Sequence, residues 1–182
     1  MSWNEHLIDR WRERWDWEKL STNEGIHFNE NILEKFADRW NWEKLSRNSA
    51  LSSHLSLIDK FSERWAWEEL SYNNSLPWTE EFLAKYADKL DWGSVSCCVF
   101  SIGVKKIPWD VALLERYRDR WDWCWLSYNK SISLNEKMVQ YFAELWDWGL
   151  LVRTKSFQEN ILPKITDEMI VEILAQDTEI PF

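Results

Sequence analysis

NENILEKFADRWNWEKLSRNSAL, Asn29 to Leu51, holds one complete structural unit. Its apolar residues Ile32, Leu33, Phe36, Ala37 and Trp40 fall at i, i+1, i+4, i+5 and i+8, the stripe of a helix with one buried face. Asn29, three residues ahead of that stripe, is an N-cap type whose side chain accepts from an otherwise orphan backbone N–H. A second helix of about two turns starts at Asn41 and turns Trp42 and Leu45 inward. So short a helix is unstable alone and must be held by its neighbours. Ser46 and Asn48 supply turn chemistry, with the Asn suited to end the helix in the left-handed conformation and its amide to tie the turn to the next unit, and Leu51 is an apolar plug before that unit.

The unit recurs. The Trp pairs at 15 and 17, 40 and 42, and 65 and 67, the Leu90–Trp92 pair, and the Trp pairs at 121 and 123 and at 146 and 148 follow one another at 25 residues, with one interval of 31. Ile107-Pro108-Trp109 realigns with Leu76-Pro77-Trp78, so the six extra residues lie within Cys97 to Lys106. Caps are expected at Asn4, Asn29, His54, Thr79, Asp110 and Asn135, of which only His54 is a poor one, and again at Asp16, Asn41, Asp91, Asp122 and Asp147, with Ala66 as the exception. Plugs are expected at Ile26, Leu51, Leu76, Ile107, Ile132 and Phe157. Internal repetition at this period points to a stacked array. A leucine-rich repeat shares a Leu-Ser-x-Asn element at a similar period, but the alternating Leu-x-Leu of its strand is absent. The expectation is an all-α fold, a short α-solenoid of six helix pairs forming one repeat domain, with units near 4–28, 29–53, 54–78, 79–109, 110–134 and 135–159. A closing helix is expected over about 166–176, capped by Thr166.

Composition agrees with that reading. Sixteen Trp against four Gly and four Pro leave little material for hairpins and favour helices. A net charge of −9 works against nonspecific attraction to nucleic acid or to anionic membranes. No stretch approaches the ~20 apolar residues of a membrane span, and no leader pattern opens the sequence, which predicts a cytoplasmic protein. Cys97, Cys98 and Cys124, an odd set, fit a reducing compartment.

On its Trp-Asp-Trp-x-x-Leu-Ser-x-Asn units, from about Trp3 to Phe157, the chain resembles a family of short-repeat proteins found in bacteria and large viruses. The resemblance implies a helical repeat array and brings no activity, active site or cofactor with it. The chain departs from the pattern at Leu90, at Ala66, at Val152 and Thr154, and at the insertion.

No catalytic constellation emerges. His6, His27 and His54 occupy different repeat slots, the cysteines lack the spacing and the fourth ligand of a zinc site, and Gly is too scarce for a phosphate-cradling loop. No cofactor, metal or catalytic residue is expected. Basic residues recur at Arg14, Arg39, Arg64, Lys89 and Arg120, and at Arg10, Lys35, Lys60, Lys85 and Arg116, but acids precede nearly all of them, and interleaved ladders neutralise one another. The paired Trp stripes read as core. Trp78, Trp109 and Trp125 lie off the stripe and are candidate exposed anchors, with a hydrophobic staple as the competing reading. The insertion adds Phe100, Ile102, Lys105 and Lys106 as candidate partner-binding residues, against an alternative in which it merely extends the fourth unit.

The expected function is a non-enzymatic protein-interaction scaffold built on a repeat surface. An acidic inhibitor or nucleic-acid mimic is the first alternative. Self-assembly through the N-terminal end, with Trp3, Trp11 and Trp15 near solvent, is the second.

Overall fold

The computed structural model describes residues 4–53, 55–97 and 106–166, and every regular element among them is helical. They group into two compact units, one holding the described residues up to Asp91 together with Lys106, the other those from Trp92 with 107–166. The first contains α1 (Glu5–Arg10), α2 (Trp17–Ser21), α3 (Glu30–Lys35), α4 (Trp42–Ser46), α5 (Leu55–Lys60), α6 (Trp67–Tyr72) and α7 (Glu80–Tyr86). In it α2 packs on α4 and α4 on α6. The second contains α8 (Trp92–Ser96), α9 (Val111–Arg116), α10 (Trp123–Ser127), α11 (Glu136–Tyr141), α12 (Trp148–Leu151) and α13 (Lys155–Asn160). There α8 packs on α10, α10 on α12, and α9 on α11.

The caps sit where the residue types place them. Asn4, Asn29, Thr79, Asp110 and Asn135 each accept from the backbone N–H three residues on. Asp16, Asn41, Asp122 and Asp147 do the same for the short helices, and Ala66 holds the same extended backbone without a side chain to offer. His54 lies outside the described residues.

The first helix of each unit is shorter than its apolar stripe. α3 stops at Lys35, and the chain reaches Trp40 through tight turns such as Arg39 N–H to the Phe36 carbonyl, 2.9 Å. The reason is the indole, whose N–H can only donate. Trp40 Nε1 donates to the Ile32 carbonyl at 3.2 Å, and Trp42 Nε1 to the Ala37 carbonyl at 2.8 Å, so carbonyls left without a helical partner are satisfied by ring N–H groups. The same pair recurs as Trp15 with Ile8 and Trp17 with Arg12, Trp65 with Leu57 and Trp67 with Ser62, Trp121 with Leu114 and Trp123 with Arg118, Trp146 with Met138 and Trp148 with Ala143. Where Leu90 replaces the first Trp, α7 runs to seven residues instead of six.

Burial follows the stripe. Trp40, Trp65, Trp121 and Trp146 are buried, as are all six plugs and the inward residues Leu20, Leu45, Leu70, Val95, Leu126 and Leu151. The second Trp of each pair is less buried than expected: Trp17, Trp42, Trp67, Trp123 and Trp148 are half-buried, and only Trp92 is buried. Where the next copy carries a first Trp, the second indole instead closes over that copy, edge-on to it. Trp17 lies 4.9 Å from Trp40 and Trp42 4.9 Å from Trp65 in the first unit, and Trp92 lies 4.7 Å from Trp121 and Trp123 5.0 Å from Trp146 in the second.

The Ser-x-Asn pair is a buried clasp between copies. Ser21 and Ser46 are fully buried; each hydroxyl donates to the carbonyl four residues back at 2.7 Å and accepts from the cap residue's N–H in the next copy, Asn41 at 3.0 Å and Ala66 at 3.1 Å. Asn48 and Asn73 send their amides back to the carbonyls of Ser21 and Ser46, both at 2.9 Å. The sequence suggested a tie to the following copy and a left-handed Asn; the tie runs to the preceding one, and Asn73 is extended, at φ −73 and ψ 103. Its carboxamide oxygen accepts from Ser75 N at 3.0 Å, which closes the turn without left-handed backbone. In the second unit the clasp separations lengthen from 20 to 26 and from 27 to 33 residues, in Asp122 N–H to Ser96 and Asn129 to Ser96, which places the six extra residues after Ser96.

α13 was not expected. Thr154, standing where other copies carry Asn, caps it by accepting from Phe157 N at 3.2 Å, and so keeps the plug Phe157 buried. The expected closing helix lies outside the described residues except for Thr166.

Two stability outcomes follow. Ala66→Asp supplies the missing cap and should raise stability by about 0.5–2 kcal/mol, read as a higher urea midpoint at unchanged slope. Ser46→Ala leaves the Ala66 N–H and the Trp42 carbonyl without their hydroxyl and should cost about 1–3 kcal/mol in the same assay.

Candidate functional site

In the first unit every interface between copies has the same chemistry. Lys35 bridges Glu5 and Asp9, both at 3.1 Å, and Arg39 meets Glu13 at 2.7 Å. One copy later Lys60 bridges Glu30 and Glu34, and Arg64 meets Asp38 at 3.3 Å. Then Lys85 meets Asp59 at 2.7 Å and Lys89 meets Glu63 at 2.5 Å. The cations also lie over rings. Lys35, Lys60 and Lys85 stand 5.5 to 5.7 Å from the Phe36, Phe61 and Tyr86 centroids beside them. Arg64 and Lys89 cross to Trp42 and Trp67 of the preceding copy, at 5.8 and 5.5 Å. For these six bases the expected neutralisation of the two ladders is achieved between copies, each pairing with an acid about one period earlier.

Around Trp11 the first copy breaks this arrangement among the described residues. Trp11 occupies the slot of Phe36, Phe61 and Tyr86, rings that pack on the preceding second Trp at 5.2, 5.5 and 5.2 Å. No described ring covers Trp11, and it is 39% exposed where Phe36 is 5% exposed. Arg10 and Arg14 occupy the slots of Lys35 and Arg39, yet neither meets an acid among the described residues. Both turn onto Trp11, at 5.7 and 5.6 Å from its centroid. Asn23 keeps its turn bond to Gly25 N, but its amide has no counterpart to the carbonyl that Asn48 reaches. A concavity of about 420 Å³ lies here, lined by residues 9–14. The edge thus offers an indole, two guanidinium groups and an amide donor, the half of the repeat interface that is filled elsewhere.

The anchors singled out by sequence lie elsewhere. Trp78 is 1% exposed, its ring N–H donates to the Asn73 carbonyl at 2.9 Å, and it packs on Phe82 at 5.3 Å; it is a staple residue and not an exposed anchor. Trp109 is half-buried, donates to Ser131 Oγ at 2.8 Å and packs on Trp121 at 5.3 Å. Trp125 is half-buried on α10. Lys106 is exposed, while Phe100, Ile102 and Lys105 lie outside the described residues. Nothing brings these residues together into one site. Sequence could not single out Trp11, because its slot is apolar in every copy and only its exposure sets it apart.

Cys97 is buried and Cys124 exposed. Among the described residues no three metal-ligating side chains come together, and no described helix is long and apolar enough to cross a membrane.

Fold and edge together define an all-helical, Trp-rich repeat protein. No family model, curated protein or solved structure matches the chain.

The ladder sets the response to pH. The Lys35 ammonium, and then Arg12, hold the Asp9 carboxyl below the usual range; Arg39 does this to Glu13, Lys85 with the Tyr86 hydroxyl to Asp59, and Lys89 to Glu63. A carboxyl with a depressed folded-state value adds stability that is present above its unfolded value, near 4, and lost as pH falls through the folded one. The urea midpoint should hold steady through neutrality and drop as pH falls below ~4. Asp59→Asn should shrink that acid-side drop.

Proposed function

We propose that this chain is a non-enzymatic protein-interaction module whose Trp11 edge receives a partner shaped like the edge of one of its own repeats. The observation that carries the reading is Trp11, exposed beneath Arg10 and Arg14 in a slot that is covered in the copies behind it. The partner's chemistry follows from what fills that slot elsewhere. An indole lies against the ring, carboxylates meet the two cations, and a carbonyl receives the Asn23 amide. Indole burial supplies most of the affinity, since exposed ion pairs are worth about 0–1 kcal/mol each and a buried aromatic several times that. The ion pairs set register and orientation. The odd cysteine set supports a reducing, cytoplasmic setting.

Self-assembly is favoured by the same observation, because the repeat's own edge is the template. An acidic inhibitor or nucleic-acid mimic has less support, since the carboxylates Glu5, Asp9, Glu13, Glu30, Glu34, Asp59 and Glu63 are engaged by neighbouring cations.

The test uses the full chain and a peptide of its own residues 29–51, which carries the acids and the Trp42 that serve the next copy. Fluorescence anisotropy should show saturable micromolar binding, weakened at least about tenfold, or ~1.4 kcal/mol, by Arg10→Glu with Arg14→Glu and by Trp42→Ala in the peptide. Absence of binding, or binding indifferent to both changes, would remove the proposal. Sedimentation velocity over a concentration series assigns the partner: a dimer abolished by Arg14→Glu makes it a second copy, and a monomer throughout makes it another protein.

A further inference from the structure

The second unit carries a concavity of about 450 Å³ lined by Tyr128, Lys130, Arg153, Thr154, Lys155 and Ser156. Its described lining has three cations, three hydroxyls and no acid, in a chain whose net charge is −9. The cations come from different segments. Lys130 stands in the turn after α10, Arg153 in the turn after α12, and Lys155 in the first turn of α13.

Comparison of repeat slots shows that this basic lining is local. Lys130 and Lys155 follow the Ser-x-Asn slot, where the first three copies have Glu24, Ser49 and Asn74. Arg153 shares its slot with Thr22, Arg47, Tyr72 and Tyr128. In the first unit the one cation of that slot, Arg47, is neutralised by Glu69 and lies over the Tyr72 ring. The position 22 residues after Arg153 lies outside the described residues, and Arg153 forms no ion pair with a described residue. Lys155 keeps only a 3.5 Å contact with Glu159 on its own helix, with 84% of its side chain exposed.

The hollow has a firm floor. Thr154 is buried and held from both sides, by the Leu151 carbonyl at 2.8 Å and Phe157 N at 3.2 Å. Ser156 Oγ accepts from Leu134 N at 2.7 Å and from the Asn160 amide at 3.3 Å, which leaves its own proton to donate. Lys130 extends over the Tyr128 ring, 5.6 Å from its centroid. Three cations converging on one hollow, with a hydroxyl donor at its base, suit an anion of two charges and three oxygens better than a carboxylate.

We infer that this hollow binds a phosphoryl group, free or carried on a modified side chain, through Lys130, Arg153 and Lys155. The site is separate from the Trp11 edge, and neither depends on the other.

The experiment is a titration of the full chain with inorganic phosphate and with a phosphoserine peptide beside its unphosphorylated counterpart, at constant ionic strength, followed by the amide NMR signals of Thr154 and Ser156. Expected is saturable movement of those signals with both phosphorylated probes and none with the plain peptide, lost or at least tenfold weaker in Arg153→Glu with Lys155→Glu. These side chains are exposed, and an unchanged melting temperature verifies the fold. Arg10→Glu with Arg14→Glu should leave the response intact, so the two sites fail or stand separately. A phosphopeptide tighter than phosphate identifies a modified protein as the source, and equal affinity identifies a small phosphorylated molecule. No movement beyond that caused by chloride, or movement that survives both charge reversals, would overturn the inference.

Discussion

A helix of five or six residues leaves nearly all of its terminal carbonyls without a partner inside itself, and in this protein the missing donor is an indole. The first Trp of each complete pair reaches seven or eight residues back to the helix ahead of it, and the second reaches five residues back to the turn between. Each ring therefore buries a large apolar face and satisfies a backbone oxygen at the same time. Phe would supply the face without the donor, and a longer helix would satisfy the carbonyl without the face. The two demands fall on one side chain, which is why the chain spends sixteen tryptophans on so few residues.

What the indoles do within a copy, the buried serines and asparagines do between copies. Ser21 and Ser46 have no exposure, so their hydroxyls must find donor and acceptor partners inside the protein, and the only geometry that provides both brings the next cap residue to within about 3 Å. Packing of Leu and Ile alone tolerates sliding. A buried hydroxyl does not, and it fixes the register of each copy against the last. Within each unit the charged side chains then decorate an interface whose position is already set, and their exposure keeps their individual contribution small.

Repetition gives an exposed slot the chemistry of a covered one. The Arg10, Trp11 and Arg14 cluster differs from Lys35, Phe36 and Arg39 less in its residues than in what the described residues lay against them, and its two guanidinium groups fold onto the ring. The hollow between Tyr128 and Lys155 has the opposite origin. There the residues themselves change, Lys130 and Lys155 entering a slot that holds Glu24, Ser49 and Asn74 in the early copies. One candidate site comes from keeping the repeat pattern at its edge, the other from leaving it.

Sequence alone determined the helical class, the period, the place of the insertion, most of the caps and every apolar plug, because each depends on residue type at a fixed local spacing. Asn29 caps α3 whatever surrounds it. Tertiary structure decided where each helix stops, since that turns on whether an indole N–H is present to take the carbonyl, and it decided that Asn73 clasps backward instead of forward. It also moved the candidate surface away from Trp78. A Trp beside an N-cap reads the same whether it faces solvent or the core, and only the packing of Phe82 and the Asn73 carbonyl around that ring settles its burial.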